Sequence, residues 1–567
     1  MKLSDLRSPR RLGIFFFFDE EGVVDEYVTT LLDGMQRHFD KLIVVVNGEL
    51  DEAGAELFRS RLETDLIVRE NEGFDSWAYK TGIDSIGWAG LAEFDEFVMF
   101  NFTIVGPVAD LKLMFDTMDS RDLDFWGITV HHAAPFDPFG SLETPTLPIH
   151  LQSHFIAVRR SMFLSEPFQQ YWDELPAIPD YAHAVAKHEA KFTWFFERLG
   201  FTWAPYVDTS DLESDTLYPL NTYALELVRD RNCPIFKRKT LFAGVPSIIE
   251  ESSSLNARRL LDYLETSGRF DMRQLRTHMN RSMNQYMVST TLHDWEMTTG
   301  AQPEVERYAA LVPLGERFSE RLQQALAFTD AQVYVCGPRT RLGEARGHFV
   351  DEPVHALEAQ HHWTEAMPHI AEGVTLVLGP DNFHTPYYAA ALRDARALVE
   401  SAFDLPTPND AIDAFRRTPE LGMLVAPPVL HSEYFQELGL EWRDTTSDFE
   451  TLADALGITA PFSRSTPTVQ GPGGISIVRT EALHQFGALV AAAPYGTFRK
   501  LSQDDWQKLV ALAVQSSGFT PRIVVTPRLA KYLLSLSMTL LRTISDAAGQ
   551  AEGATAMSLV KRMRALR

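Results

Sequence analysis

Cysteine is scarce: the chain has two in 567 residues, Cys233 and Cys336. Two cannot build a disulfide framework or a thiolate metal cluster, and such usage suits a reducing compartment. Positive charge is also in deficit. Fifty-two lysines and arginines stand against 77 aspartates and glutamates, a net charge of −25. That argues against nucleic acid as a partner, because a phosphate backbone needs a basic footprint. Long apolar runs are missing. No stretch approaches the eighteen or so residues of a membrane-spanning helix. The apolar run Leu12 to Phe18 is short, aromatic and followed by three acids, so a signal peptide is not expected and the chain reads as cytosolic. The familiar short catalytic signatures are missing too. There is no Walker loop, no GxGxxG after the first strand, no HExxH and no GxSxG. The adjacent pair His131–His132 is not spaced for a metal site on a helix face and reads as a loop feature.

What is present is an alternation. Hydrophobic content of 45% and charged content of 23% are ordinary for a globular protein, and the length calls for more than one core. RLGIFFFF (11–18), KLIVVVN (41–47), DLIVRE (65–70), EFVMFN (96–101) and DFWGITV (124–130) read as strands. Helical patterns stand between them, which implies a mostly parallel sheet covered by helices on both faces. The reading divides the chain into a first α/β domain over 1–250, a helical connector over 251–325, a second α/β domain over 326–525 and a helical basic tail over 526–567. AQVYVCGP (331–338), VTLVLGP (374–380), LGMLVAPP (421–428) and GGISIVRTEAL (473–483) echo the first half, so the second domain is either a degenerate repeat of it or a separate α/β domain that shares such strings.

In such sheets ligands bind beyond the carboxyl ends of the strands. NEGFDSWAYKTG (71–82) leaves the third strand there, and Asn101 and Thr103 leave the fourth. Asn71 and Gly73 suit a tight turn that approaches a ligand. Asp75 either meets a nucleoside or caps the following helix. Lys80 either meets a diphosphate or is solvated, and Trp77 reads as core.

Together NEGFDSWAYKTG, FNFTIVGP, DFWGIT, HLQSHF, HEAKFTWFFERLGF, LYPLN and CPIFKRKTLF resemble the rhamnan synthesis F family of bacterial polysaccharide rhamnosyltransferases. The resemblance covers residues 10 to 245 best. It implies a GT-A-like glycosyltransferase domain and an inverting transfer of a deoxyhexose, L-rhamnose, from a dTDP-sugar to a lipid-linked cell-surface polysaccharide. It also implies roles. Glu189 matches the family base, although an acid at a helix N-terminus is also stabilised by the macrodipole alone. Asn71, Gly73, Asp75, Lys80, Asn101 and Thr103 would bind the donor, and Gln152, Ser153 and His154 would lie near the acceptor. Lys237, Arg238 and Lys239 would neutralise the leaving diphosphate, or form a solvated basic run. Phe102 departs from the pattern. Relatives place an acid there to hold Mg²⁺ or Mn²⁺, hard cations that prefer oxygen ligands. Either the metal is dispensable, or another acid such as Asp95 serves, or the domain binds without catalysing. A non-catalytic protein that binds glycan or recruits partner enzymes is the alternative reading.

The acceptor implies work at the inner membrane leaflet. Leu529, Tyr532, Leu533, Leu536, Leu540 and Leu541 fall near one helical face over 528–544, with Lys531 and Arg542 elsewhere, and Lys561, Arg562, Arg564 and Arg567 follow. That pattern suits either a peripheral membrane contact or a helix packed on the second domain.

Overall fold

In the computed structural model the described residues are all except 1, 7, 62–64, 243–254, 316–317, 350–351, 380–388, 428–448, 464–467, 472–473 and 550–567. They form two compact units, Met1–His278 and Met279–Arg567.

The first unit is built on β1 (Arg11–Phe18), β2 (Lys41–Asn47), β3 (Asp65–Arg69) and β4 (Glu96–Asn101), followed by the short β5 (Ile104–Val105). Next come β6 (Phe125–Gly127), β7 (Val130–His131), β8 (His150–Leu151), β9 (Phe155–Arg159), β10 (Trp203–Pro205) and β11 (Phe236–Lys237). Seven of these make one sheet in the order β10-β6-β9-β4-β1-β2-β3. All neighbours are parallel except β9, which runs antiparallel to both β4 and β6. This is a mixed, mostly parallel sheet, as the alternation of strands and helices predicts. Its central strands read as unbroken apolar runs because both faces are covered: residues 11–17 of β1 and all of β4 are buried.

The antiparallel strand matters for function. Because β9 is reversed, its start lies at the same rim as the end of β4. Gln152, Ser153 and His154 therefore reach the rim where Asn71 to Asp75 and Asn101 to Thr103 emerge. The opposite rim holds a buried ion pair. Arg11 Nε donates to Glu96 Oε2 at 2.7 Å, and the Trp126 indole donates to Glu96 Oε1 at 2.9 Å.

In the second unit the strands are β12 (Glu296–Met297), β13 (Tyr308–Pro313), β14 (Ala331–Gly337), β15 (Val354–Glu358), β16 (Val374–Leu378), β17 (Leu421–Val425), β18 (Ile475–Arg479) and β19 (Thr520–Val525). Their order is β12-β19-β17-β18-β16-β13-β14-β15. Without the edge strand β12 this repeats the first sheet strand for strand. β18 takes the place of β9 and is likewise antiparallel to both neighbours. Tyr308–Pro313 is a central strand in a stretch read as connector. YAALVP is short and uniformly apolar, and periodicity cannot tell such a run from a helix segment.

The tail helix spans Pro527–Gly549. It buries Leu529 and packs Leu533 on the core of the second unit, while Tyr532, Leu534 and Met538 are exposed. Lys561, Arg562, Arg564 and Arg567 lie outside the described residues. Among the described residues no helix is long and apolar enough to cross a membrane.

Candidate functional site

The turn after β3 is shaped by a left-handed pair. Gly73 has φ 69° and Phe74 has φ 55°. A Cβ on Gly73 would lie 2.3 Å from the Trp77 ring, so only glycine lets that ring close over the turn. Trp77 is half-buried rather than core, and its indole donates to Pro176 O at 2.9 Å. The turn starts the helix Phe74–Leu91, whose N-cap is Gly73, with no side-chain cap. Asp75 is thus not a cap. Oδ1 accepts only from the adjacent Ser76 N, at 3.0 Å, while Oδ2 faces Asn101 and Ser153.

Ser153 Oγ lies 2.7 Å from Asp75 Oδ2 and 2.5 Å from Glu189 Oε2. Its backbone N–H donates to the same Glu189 oxygen at 3.1 Å. A hydroxyl has one proton to donate, so both short contacts are made at once only when one carboxyl is protonated. The electrostatics push the two carboxyls in opposite directions. Burial and the nearby Glu189 charge raise its carboxyl, with the Ser153 hydroxyl working the other way. At Glu189, burial pushes upward, but His150, the Ser153 hydroxyl and Lys237 outweigh it and hold the group well below the usual carboxylate range. Two linked carboxyls pushed in opposite directions are the pattern of an acid–base pair.

Glu189 does not stand at a helix N-terminus, as the sequence suggested. The helical run starts at Tyr181, passes through a π turn at Val185–Glu189, and continues as Ala190–Arg198. The macrodipole therefore does not explain this acid. A π turn inserts one extra residue and re-aims the side chains after it, a device common at functional sites.

Asn101 Nδ2 donates to Asp75 Oδ2 at 3.3 Å, and Asn101 Oδ1 accepts from Thr103 Oγ1 at 2.5 Å. Lys237 Nζ donates to that Thr103 hydroxyl at 2.9 Å, brought there by the antiparallel pairing of β11 with β5. Burial lowers the Lys237 ammonium to about 8, against the pull of Glu189 and Asp75. Arg238 lies over the Phe102 ring, 4.9 Å from its centroid. Its guanidinium donates to Tyr27 OH at 3.0 Å and meets His278 Nε2 at 3.2 Å, and His278 Nδ1 lies 2.6 Å from Asp25 Oδ2. A fixed arginine thus covers the position where an acid was expected. Phe102 itself packs edge-on against Phe16, Phe17 and Phe18, as part of the aromatic core that the four phenylalanines of β1 begin.

The other named residues divide. His154 is buried with both ring nitrogens unpartnered, and burial and Lys237 hold it well below the ordinary histidine value, hence neutral. Gln152 is spent internally, its Oε1 accepting from Thr129 Oγ1 at 2.9 Å. Asn71 is exposed and meets Asn47, whose Nδ2 lies 3.4 Å from Asn71 Oδ1. Lys80 pairs with Asp84 one turn on, at 3.0 Å, and Lys239 is exposed. Asp95 precedes β4 and accepts from Arg10 N at 2.9 Å. It sits at the far end of the strand from Asn101, about 20 Å away at a strand's rise per residue, so it cannot replace the missing acid.

Sequence reasoning passed over two groups. His150 lies 3.6 Å from Glu189 Oε1 and stacks on His131, which stacks in turn on Tyr218. His131 is thus part of the wall of the site, not a loop ornament. The signal available was the spacing in HLQSHF, which puts His150 three residues before Ser153. The Asp25–His278–Arg238 chain had no local signal.

Asp19, Asp25 and His278 bring possible ligand atoms within 4.8 Å of one another. Both nitrogens of His278 are already engaged, with Asp25 and Arg238, so this group serves the arginine. The position of Phe102 itself offers a divalent cation no ligand: the ring lies under Arg238, between neutral Asn101 and Thr103, and the neighbouring carboxylate of Asp75 is engaged with Asn101 and Ser153.

Residues 42–310 match the family described as Rhamnan synthesis protein F. That stretch is similar to this family. The matched stretch contains Asn71, Asp75, Asn101, Ser153, Glu189, Lys237 and Arg238, while Asp19, Asp25 and Tyr27 precede it. No curated protein matches the chain. Solved structures resemble it distantly. Glucosyl-3-phosphoglycerate synthase from Mycobacterium tuberculosis is 13% identical over 35% of this chain and 68% of its own, with a TM-score of 0.22. A CMP:2-keto-3-deoxy-manno-octonic acid synthetase is 11% identical over 35% and 88%, at 0.22. Core-mannan synthase A from Aspergillus fumigatus is 9% identical over 30% and 64%, at 0.18. Likeness at this level carries no argument about chemistry.

Proposed function

We propose that the chain is an inverting glycosyltransferase that moves a deoxyhexose, L-rhamnose, from a dTDP-sugar to a lipid-linked cell-surface polysaccharide. The family of residues 42–310 supports a glycosyltransferase. The observation that carries the reading is the bridge that Ser153 Oγ makes between Asp75 and Glu189, beside Lys237 and Arg238. Glu189 takes the proton of the acceptor hydroxyl as that oxygen attacks the anomeric carbon. The bond from that carbon to the diphosphate breaks on the opposite face, and dTDP leaves with the electron pair. Lys237 and Arg238 offset the charge that develops on it, in a partly dry site where such contacts count most. Asn101 and Thr103 hold the lysine and line the donor side. Fixed cations take the place of a metal ion, so no step is routed through one.

Phe102 supports a second reading, a domain that binds glycan or partner enzymes without transfer. One experiment separates them. The protein is incubated with dTDP-rhamnose and a synthetic lipid-linked glycan, with and without EDTA, and released dTDP is measured. Release that needs the acceptor and survives EDTA is expected. No release under any condition favours the binding protein. Release abolished by EDTA and restored by Mn²⁺ would show that the fixed cations do not suffice.

A further inference from the structure

The second unit repeats the sheet of the first, and register shows what became of the site. In the first unit Phe100 pairs with Phe155, and Asn101 N donates to His154 O at 3.2 Å. In the second, Leu378 pairs with Ile475, and Gly379 N donates to Gly474 O at 3.0 Å. Gly379 therefore stands where Asn101 stands, and Gly474 where His154 stands. Both polar side chains are gone. Counting from the aligned third strands, Glu365 takes the position of Asp75. It accepts from the backbone N–H groups of Gln360 and His362, both at 2.9 Å, and from that of His361, so it is consumed by its own turn.

A cleft remains at this rim, bounded by Trp363, Met423, Gln470, Ser476, Gln503 and Gln507. Among its described lining residues there is no acid, lysine or arginine. His362 also lines it, stacked flat on Trp506 at 4.2 Å, and burial lowers that imidazole to about 3, so it is neutral. Gln470 is 96% buried, from an exposure of 4%. Its Oε1 has no hydrogen-bond partner, a costly state for a buried acceptor. Gln503 and Gln507 stand on the helix before β19 (Gln503–Ser516), as Glu189 stands in the helical run before β10.

We propose that this cleft binds a neutral saccharide and performs no transfer. A diphosphate needs cations, which the described lining residues lack. Amide side chains can exchange paired hydrogen bonds with vicinal hydroxyls, a Trp face can cover the apolar side of a sugar ring, and a saccharide hydroxyl can satisfy Gln470. A few convergent polar groups in a largely apolar concavity are the ordinary build of a small-ligand site. The proposal stands apart from the chemistry of the first unit. It describes a second unit that keeps the sheet and holds a glycan.

The test uses the full chain. A panel of linear neutral hexose and deoxyhexose trisaccharides, and separately dTDP, is titrated by calorimetry against the native protein and the variants Gln470→Leu and Gln507→Ala. At least one trisaccharide should bind, and each variant should weaken it about tenfold or more, with dTDP binding unchanged. Gln470→Leu should not lower the melting temperature, because it removes an unpaired acceptor. Gln507→Ala, on the helix side, provides an independent reading. The proposal is overturned if no trisaccharide binds, if binding ignores both variants, or if the variants abolish dTDP binding instead. A protein that binds trisaccharide but no dTDP would count against the first unit's donor site alone.

Discussion

Ser153 sits between two carboxyls that its single hydroxyl proton cannot serve together, and that imbalance organises the site. Glu189→Gln keeps the size and the contact with Ser153 but removes the proton acceptor. Transfer should fall by about 10²-fold or more, the usual range for loss of a general base, with donor affinity retained. Single-turnover transfer and dTDP titration check the two halves, and near-normal turnover would end the assignment. Lys237 gives a prediction in pH. Its ammonium is depressed to about 8 by burial, so it is charged below that pH and neutral above. A diphosphate prefers the charged form. Donor affinity should therefore drop as pH rises through about 8, and Lys237→Met should remove that drop while weakening binding at neutral pH. An affinity that is flat across this range in the native protein would show that Lys237 does not meet the donor.

Two elements do the positioning. One is the π turn Val185–Glu189, without which Glu189 would be rotated away from Ser153. The other is the turn after β3, held in the left-handed region at Gly73. Alanine there meets both a disfavoured backbone and the Trp77 ring at 2.3 Å. A residue forced into that region costs about 1–3 kcal/mol. Gly73→Ala should reduce unfolding free energy by roughly that amount, read by urea titration, and should weaken donor binding because Asp75 follows two residues later. Unchanged stability and unchanged donor affinity together would show that the turn accommodates a side chain.

At the scale of the whole molecule, one sheet plan appears twice with two different rims. The first rim carries paired carboxyls and fixed cations. The described lining of the second carries no acid, lysine or arginine. The chain's charge of −25 opposes approach to anionic lipid, and the four basic residues Lys561, Arg562, Arg564 and Arg567 offer a local remedy. Each basic group near such a surface contributes on the order of 1 kcal/mol, so four supply about 4 kcal/mol before screening. Deleting 556–567 should weaken binding to phosphatidylserine vesicles at low salt and leave the circular dichroism spectrum intact. Equal sedimentation with vesicles for both forms would rule the tail out as an anchor.

The sequence by itself determined the alternation of buried strands and helices, the parallel character of the sheet, and the cluster of motifs at one rim. Those features are local: an apolar run such as KLIVVVN or a turn such as Asn71–Gly73 states its geometry within a few residues. The order of HLQSHF and HEAKFTWFFERLGF also put Ser153 and Glu189 among the candidates. Only the tertiary structure decided which candidates meet. It set Asp95 at the wrong end of β4, turned Gln152 inward, and paired Lys80 with Asp84. It also joined Arg238 to Phe102, His278 and Asp25, residues far apart in the chain whose convergence depends on how loops cross the sheet. The strand-for-strand repeat was faint in sequence for the same reason. A sheet's order is fixed by which apolar faces bury one another, and many side chains satisfy that demand, so the second unit could carry Gly379 and Gly474 where the first has Asn101 and His154 and still fold the same way.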